Sequence, residues 1–346
     1  MSGSAATPRE AGCDVRENPR GLEPAALRGN VALYRFACLV VVATFGLIIA
    51  GGIVTSADAG LAVPDWPLSF GSINPAGWTT MYQVNKEHAH RLIGASIGLL
   101  TLTLTMWILI SERRNWVRKL GVLALLFVVV QGIMGGLRVT ELMLSLAIVH
   151  GCFGQLFFCL LVAIATVLSP RWPTQRIPVG ADGLRRLRTW STVLFLMVMV
   201  QLILGAILRH THEGVMLHLA GAMGVGICLM LAAQQVMAYP SAYRLPTRPM
   251  IVVMMLFAGQ LLLGFATFLV VRAMASTVPA NGLELWLPTV HVATGAAVFG
   301  LTAHIMVRVF ALTSPGHVSV MDLADECTSD SPASADTALG VRAASV

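Results

Sequence analysis

Eight apolar stretches, each about as long as a bilayer is thick, constrain this chain more than any other feature. They fall near residues 31 to 55, 88 to 110, 120 to 139, 146 to 168, 190 to 208, 214 to 237, 250 to 271 and 287 to 311. A helix rises about 1.5 Å per residue, so about 20 apolar residues cross a hydrocarbon core of roughly 30 Å. Only helices and closed barrels satisfy their own backbone hydrogen bonds there, and barrel strands are about half as long as these runs. The predicted fold class is therefore an all-α integral membrane protein with eight transmembrane helices. A hydrophobic content of 56%, a charged content of 12% and a mean hydropathy of +0.76 argue against a soluble domain.

The basic residues set the expected orientation. The N-terminal tail holds Arg9, Arg16, Arg20 and Arg28, and the loop after helix 2 holds Arg113, Arg114, Arg118 and Lys119. The loop after helix 4 has five basic residues, and that after helix 6 has Arg244 and Arg248. The loops after helices 1, 3, 5 and 7 hold one each: Lys86, Arg138, Arg209 and Arg272. The positive-inside rule then places both termini in the cytoplasm, in a multi-pass protein of the cell's inner (plasma) membrane. The net charge of +6 is spread over short loops with no aromatic-interleaved basic patch, so no nucleic-acid partner is expected. A polar tail of about thirty residues precedes the first apolar run, so no cleavable signal is read there.

The second constraint is a histidine early in each even-numbered run: His90, His150, His218 and His291. All four are expected at similar depth in the outer leaflet, forming a layer of ligands. Glycine follows four residues later at Gly94, Gly154 and Gly295, and His218 has Gly221 at the third position and Ala222 at the fourth. A small residue one turn below an imidazole leaves room for a flat macrocycle. A lone intramembrane histidine is more often an interhelical hydrogen bonder than a ligand; four in register favour ligation. His90 belongs to the octet Glu87-His88-Ala89-His90-Arg91-Leu92-Ile93-Gly94. Helical spacing puts Glu87, His90, Arg91 and Gly94 on one face and His88 on nearly the opposite one. Ionisable groups at that depth mark a functional site or an interfacial anchor, and the octet alone leaves both readings open.

The odd runs repeat too, as Gln131 to Gly135, Gln201 to Gly205 and Gln260 to Gly264, whereas helix 1 has Gly51 and Gly52 without such a Gln. Interhelical hydrogen bonding by Gln and contact with a ligand are equally open. Arg138, Arg209 and Arg272 are either carboxylate binders or snorkelling helix ends. Pairs of helices, one without and one with a ligand histidine, imply two pseudo-symmetric four-helix bundles. The expected division is a cytoplasmic tail 1–30, an N-terminal half 31–168, a linker 169–188, a C-terminal half 189–311 and a disordered tail 312–346. The long outer loop 57–86, with Trp66 and Trp78, is expected to be a lid or an aromatic anchor. Cys38, Cys152, Cys159 and Cys228 lie within spans and Cys13 and Cys327 in the tails, so no disulfide framework is expected. Without Cys-x-x-Cys-His, any haem is held by axial ligands alone. His304 reads as a satisfied core polar group, His210 and His212 as loop residues, and His317 carries no expectation.

The loop Gly60-Leu61-Ala62-Val63-Pro64-Asp65-Trp66-Pro67, the Glu-His-x-His-Arg octet and the even-helix histidines together resemble the haem A synthase family over about residues 31 to 311. The resemblance implies oxidation of a methyl group of haem O to a formyl group, giving haem A for cytochrome oxidase. It implies that His90 and His150, with Arg91, frame the substrate haem, that Glu87 is a catalytic carboxylate, and that His218 and His291 ligate a resident haem b. All four histidines then bind haem iron. Membrane lipid, haem O and a haem O synthase are the implied partners, and self-association into a homo-oligomer is a further expectation. Some members of the family carry a cysteine pair in the first outer loop; residues 57 to 86 have none. The residues alone reach a polytopic di-haem membrane protein. A quinol-oxidising di-haem cytochrome b and a non-enzymatic haem chaperone are the alternatives, and the electron acceptor and oxygen source are not legible.

Overall fold

A computed structural model describes residues 30–172, 181–239, 245–273 and 282–312. They form eight helices: α1 Val31–Ser56, α2 Tyr82–Ser111, α3 Asn115–Thr140, α4 Leu144–Leu168, α5 Ala181–Thr211, α6 Val215–Met237, α7 Thr247–Ala273 and α8 Leu283–Leu312. All eight are long and apolar enough to cross a membrane, and no strand is present among the described residues. The chain is an all-helical, multi-pass membrane protein. The tail arginines Arg9, Arg16, Arg20 and Arg28, with Cys13, Arg176, Arg244, His317 and Cys327, lie outside the described residues, as does the side chain of Arg272.

The connections explain the up-and-down course. Asn30 caps α1 by accepting the Leu33 N–H at 3.0 Å. Between α2 and α3 only three residues remain, and the Glu112 carboxylate accepts the Arg113 and Arg114 N–H groups at 2.8 and 2.9 Å while pairing with the Arg114 guanidinium. Gly214, at φ 83°, ends the α5–α6 turn in the left-handed region where glycine is least strained. Connections this short oblige consecutive helices to lie antiparallel.

Within the first four helices, α1 packs on α2, α2 on α3, α3 on α4 and α4 on α1. Within the last four, α5 packs on α6, α6 on α7, α7 on α8 and α8 on α5, while α8 and α5 also touch α4 and α8 touches α1. One cluster of buried side chains runs through Leu33, Ile97, Leu104, Val117 and Leu161, and another through Leu194, Val225, Leu229, Met250 and Phe299. The central helices α4 and α8 are the most deeply buried. Outward positions such as Val42, Ile110, Met216 and Leu262 expose two thirds or more of their surface. Bare apolar belts of this kind suit lipid rather than water.

Several helices begin before their expected runs, α3 at Asn115 and α8 at Leu283 among them, and two differ most. α2 begins at Tyr82 and α5 at Ala181, several residues before their apolar runs. Hydropathy marks where lipid begins, whereas helical hydrogen bonding continues into the polar interface. The Glu87 octet consequently lies more than a turn inside α2.

The connection from Ala57 to Met81 folds back over the helix ends. Ala57, Ala59, Val63 and Ser69 are fully buried. The Asp65 carboxylate accepts the Phe70 and Gly71 N–H groups, both at 2.7 Å, and the Gly71 hydrogen bond holds its pKa below the ordinary carboxylate value. Trp66 precedes a cis proline, Pro67, and its indole lies against Gly136 of α3, where a Cβ would collide with the ring. Buried contacts beneath an outer face on which Leu61, Trp66, Phe70 and Ile73 stay exposed make this connection a lid over the helix ends whose apolar face equally suits an aromatic anchor in the interface.

Candidate functional site

The four even-helix histidines share one local setting. Each imidazole faces a glycine on the preceding helix. A Cβ added at Gly51 of α1 would lie 3.2 Å from His90 Cε1, and one at Gly135 of α3 would lie 3.1 Å from His150 Cε1. The same test gives 3.0 Å from Gly205 of α5 to His218 and 3.0 Å from Gly264 of α7 to His291. Any larger side chain there would drive the ring from its place. The Nδ1 atoms of His90, His150 and His291 are buried and have no hydrogen bond partner. His218 and His291 face each other with ring centroids 6.5 Å apart and planes at 69°. His90 and His150 lie within electrostatic reach of each other and of Arg138.

The glutamines of the odd helices bond across to the histidine helices. Gln131 Nε2 donates to the His150 carbonyl, Gln201 Nε2 to that of His218 and Gln260 Nε2 to that of His291, each at 2.9 Å. This also revises the expected use of the glycines one turn after each histidine. Gly154, Gly221 and Gly295 face the Gln131, Gln201 and Gln260 amides, so the space freed there is taken by glutamine, not by a macrocycle. Only at Gly94 is that space open.

Glu87 and Arg91 meet as expected, in an i, i+4 ion pair at 2.5 Å with Glu87 only 4% exposed. Their remaining bonds run to the lid. The Val63 N–H donates to Glu87 Oε2 at 2.9 Å, and Arg91 donates to the carbonyls of Asp65, Leu68 and Val63 at 2.6, 2.9 and 3.0 Å. His88 points elsewhere, as its angular position required: Nδ1 lies 2.8 Å from Ser69 Oγ and the ring meets Trp78 edge-on at 4.7 Å. Spacing on α2 put Glu87, Arg91 and His90 on one face, but could not reveal that the first two fasten the loop. A run of exposed carbonyls around two prolines was the available signal.

Of the arginines near the lid-side helix ends, Arg138 packs under Gly60 of the lid. Arg209 donates to Ser56 Oγ at 2.7 Å, joining α5 to α1. His304 sits deep between α8 and α4, its Nδ1 2.8 Å from Thr166 Oγ1, in agreement with a satisfied core polar group.

Among the described residues no three His, Cys, Asp or Glu side chains converge on a point that could hold a metal ion. Two axial imidazoles suffice to hold a haem, since the porphyrin supplies the other donors. Metal–imidazole bonds of about 2 Å on both sides put two ring centroids about 6 Å apart, close to the observed His218–His291 spacing. With orphaned ring nitrogens and glycine clearances as well, the residues present fit axial haem ligation.

The family model described as cytochrome oxidase assembly protein, COX15-CtaA, matches residues 34–224, more than half of the chain. The chain belongs to this family. The match takes in the lid, Glu87, His90, Arg91, His150 and His218, and stops short of His291. A protein named "Heme A synthase" from Symbiobacterium thermophilum is 31% identical over 172 residues, covering 47% of this chain and 54% of its own length. Others of the same name from Lysinibacillus sphaericus and Geobacillus thermodenitrificans are each 26% identical, over 54% and 51% of this chain and 61% and 56% of their own lengths. The chain thus spans about half the length of the curated relatives it matches.

Proposed function

We propose that this member of the COX15-CtaA family is a haem A synthase: an oxidoreductase that converts a methyl group of haem O to the formyl group of haem A. The similarity to relatives of that name supports this reading, and the four glycine-backed imidazoles carry it. In it the first four helices and the last four are two related bundles. His90 and His150, with Arg91, frame the substrate haem; His218 and His291 ligate haem b. A haem O synthase that supplies the substrate and a second copy of this chain are the partners it takes.

Methyl to formyl is a four-electron oxidation that adds one oxygen atom. When bound, haem b supplies one-electron redox capacity beside the substrate. The chain supplies position and proton handling. His90 and His150 hold the substrate at the outer ends of α2 and α4, under a lid that excludes bulk water from the reacting methyl. Glu87, one turn before His90, is the proton acceptor, and Arg91 pairs with it while locking the lid through three loop carbonyls. The lid arrangement favours an enzyme over a cytochrome that only passes electrons, because electron transfer needs no closed cover over one haem.

Extraction and mass analysis of the haems that copurify with the protein test the proposal. Haem B together with haem O or haem A is the expected result; haem B alone would favour the cytochrome reading. In the plasma membrane the proposal puts both termini in the cytoplasm and the lid outside. Reporter fusions after Lys86 and after Arg176 should read outside and inside, and the reverse pattern would overturn the placement of every histidine.

A further inference from the structure

At the end of the bundle opposite the lid, a cavity of about 310 Å³ lies between the first turns of α1, the end of α4 and the last third of α8. That volume is at the lower end of small-molecule sites. Val41, Val42 and Ala165 give it apolar walls, and Thr166, Ser169 and His304 bring polar groups to it. Val42 is 67% exposed on the lipid-facing surface, so the cavity is reached from the bilayer. His304 lies about 20 Å along α8 from His291, at about 1.5 Å per residue. A small molecule held there is out of contact with the layer of imidazoles.

The histidine of this cavity has a defined tautomer. Thr166 Oγ1 donates its one hydrogen to the Val162 carbonyl at 2.7 Å. The same oxygen is 2.8 Å from His304 Nδ1, where it can then only accept, so Nδ1 carries the hydrogen of the neutral ring. His304 Nε2 is left as an acceptor with no hydrogen bond to any described residue. A ligand that suits it dissolves in lipid, lays a flat ring among apolar walls and turns a hydroxyl to Nε2. When Nε2 is protonated the same atom donates, and a carbonyl suits it instead. A ring oxygen that alternates between carbonyl and hydroxyl matches both states, whereas an acyl chain matches neither.

We propose that this cavity binds a membrane quinone, with His304 bonded to one of its ring oxygens, and that the quinone is the electron acceptor of this protein. The inference rests on the proposed oxidation, which needs an acceptor, and goes beyond it by naming one. With water as the source of oxygen the balance closes: one methyl group, one water and two quinones give one formyl group and two quinols. The methyl carbon loses four electrons, and four protons are released from the methyl group and the water. Each quinone takes up two electrons and two protons. One proton comes from His304 Nε2–H, and the other from water at the helix ends beside Ser169.

The purified holoprotein tests this with decylubiquinone, a short-tailed benzoquinone. Mixed anaerobically with the dithionite-reduced protein, it should reoxidise the b-type absorbance at a rate that saturates with quinone concentration. His304→Leu leaves Thr166 bonded to Val162, and is expected to weaken the apparent affinity for the quinone by about 10–100-fold while the b-type spectrum is kept. Val42→Trp closes the mouth from the lipid side and should act in the same direction; if His304→Leu does not accumulate, it carries the test alone. Binding is read separately by photolabelling with an azidoquinone, which should mark α1, α4 or α8 beside the cavity and be displaced by decylubiquinone but not by oleic acid. Reoxidation that does not saturate, or that is unchanged in the variants, would overturn the inference. Displacement of the label by oleic acid would overturn it too, making the cavity a site for lipid chains. A purified protein without b-type absorbance would instead overturn the haem reading, and the photolabelling would still decide the quinone site.

Discussion

Replacing His291 with alanine is expected to remove the reduced b-type absorbance altogether while leaving the protein in the membrane. His291 and His218 face each other at a ring separation of 6.5 Å, and in the C-terminal half His304 is tied to Thr166 far down α8. His210 and His212, the other described histidines of that half, lie at or just beyond the C-terminal end of α5, a helix that carries neither proposed ligand. Removing supporting groups around a metal ligand already costs about 10–100-fold in affinity, so losing the ligand itself should cost more. The fold should tolerate the change, because the ring rests on Gly264 and the helix is held at the His291 carbonyl by Gln260, which the substitution leaves in place. The measurement is the reduced-minus-oxidised spectrum per mole of purified protein. Loss of the b-type signal in His90→Ala or His150→Ala, with His218→Ala and His291→Ala unaffected, would mean that the two halves have exchanged roles.

The second large effect is expected at Glu87. Glu87→Gln preserves size and can still accept the Val63 N–H, but removes the charge that faces Arg91. Loss of a proton acceptor in the reaction lowers turnover by about 10²–10⁴-fold. Both haems should be retained, since binding depends on imidazoles, and haem O or a hydroxylated product should accumulate in place of haem A. The lid offers a control. Glu87→Ala removes the Val63 bond as well and leaves the Arg91 guanidinium without its ion-pair partner, a change that in buried settings costs about 3–5 kcal/mol. Proteolysis within residues 57–81 should then rise in Glu87→Ala and stay low in Glu87→Gln. If Glu87→Gln makes haem A at the wild-type rate, the carboxylate is a fastener of the lid and nothing more, and the chaperone reading gains.

Much of the architecture was legible because lipid simplifies the code. A backbone that cannot bond to water inside the bilayer must be helical, so the eight apolar runs determined the eight helices with errors only at their polar ends, as at Tyr82 and Ala181. The in-register histidines and their glycines were likewise visible as a repeat. That Gln would bond across helices was open in the sequence, and its target, the backbone carbonyl of each histidine, was not readable at all.

What only the tertiary structure decided is which groups meet across helices. The periodicity of α2 put Glu87, His90 and Arg91 on one face, but only the folded lid engages Glu87 and Arg91 with Val63, Asp65 and Leu68, which lie some twenty to thirty residues earlier in the chain. The glycines one turn after each histidine read as space for a macrocycle, and the packed helices fill that space with glutamine at all but Gly94. The physical reason is the same in each case. Hydrophobicity and helical spacing are properties of one segment in its solvent, and they are written along the chain. A hydrogen bond between segments depends on the relative rotation and depth of two helices, which is set by close packing among all eight.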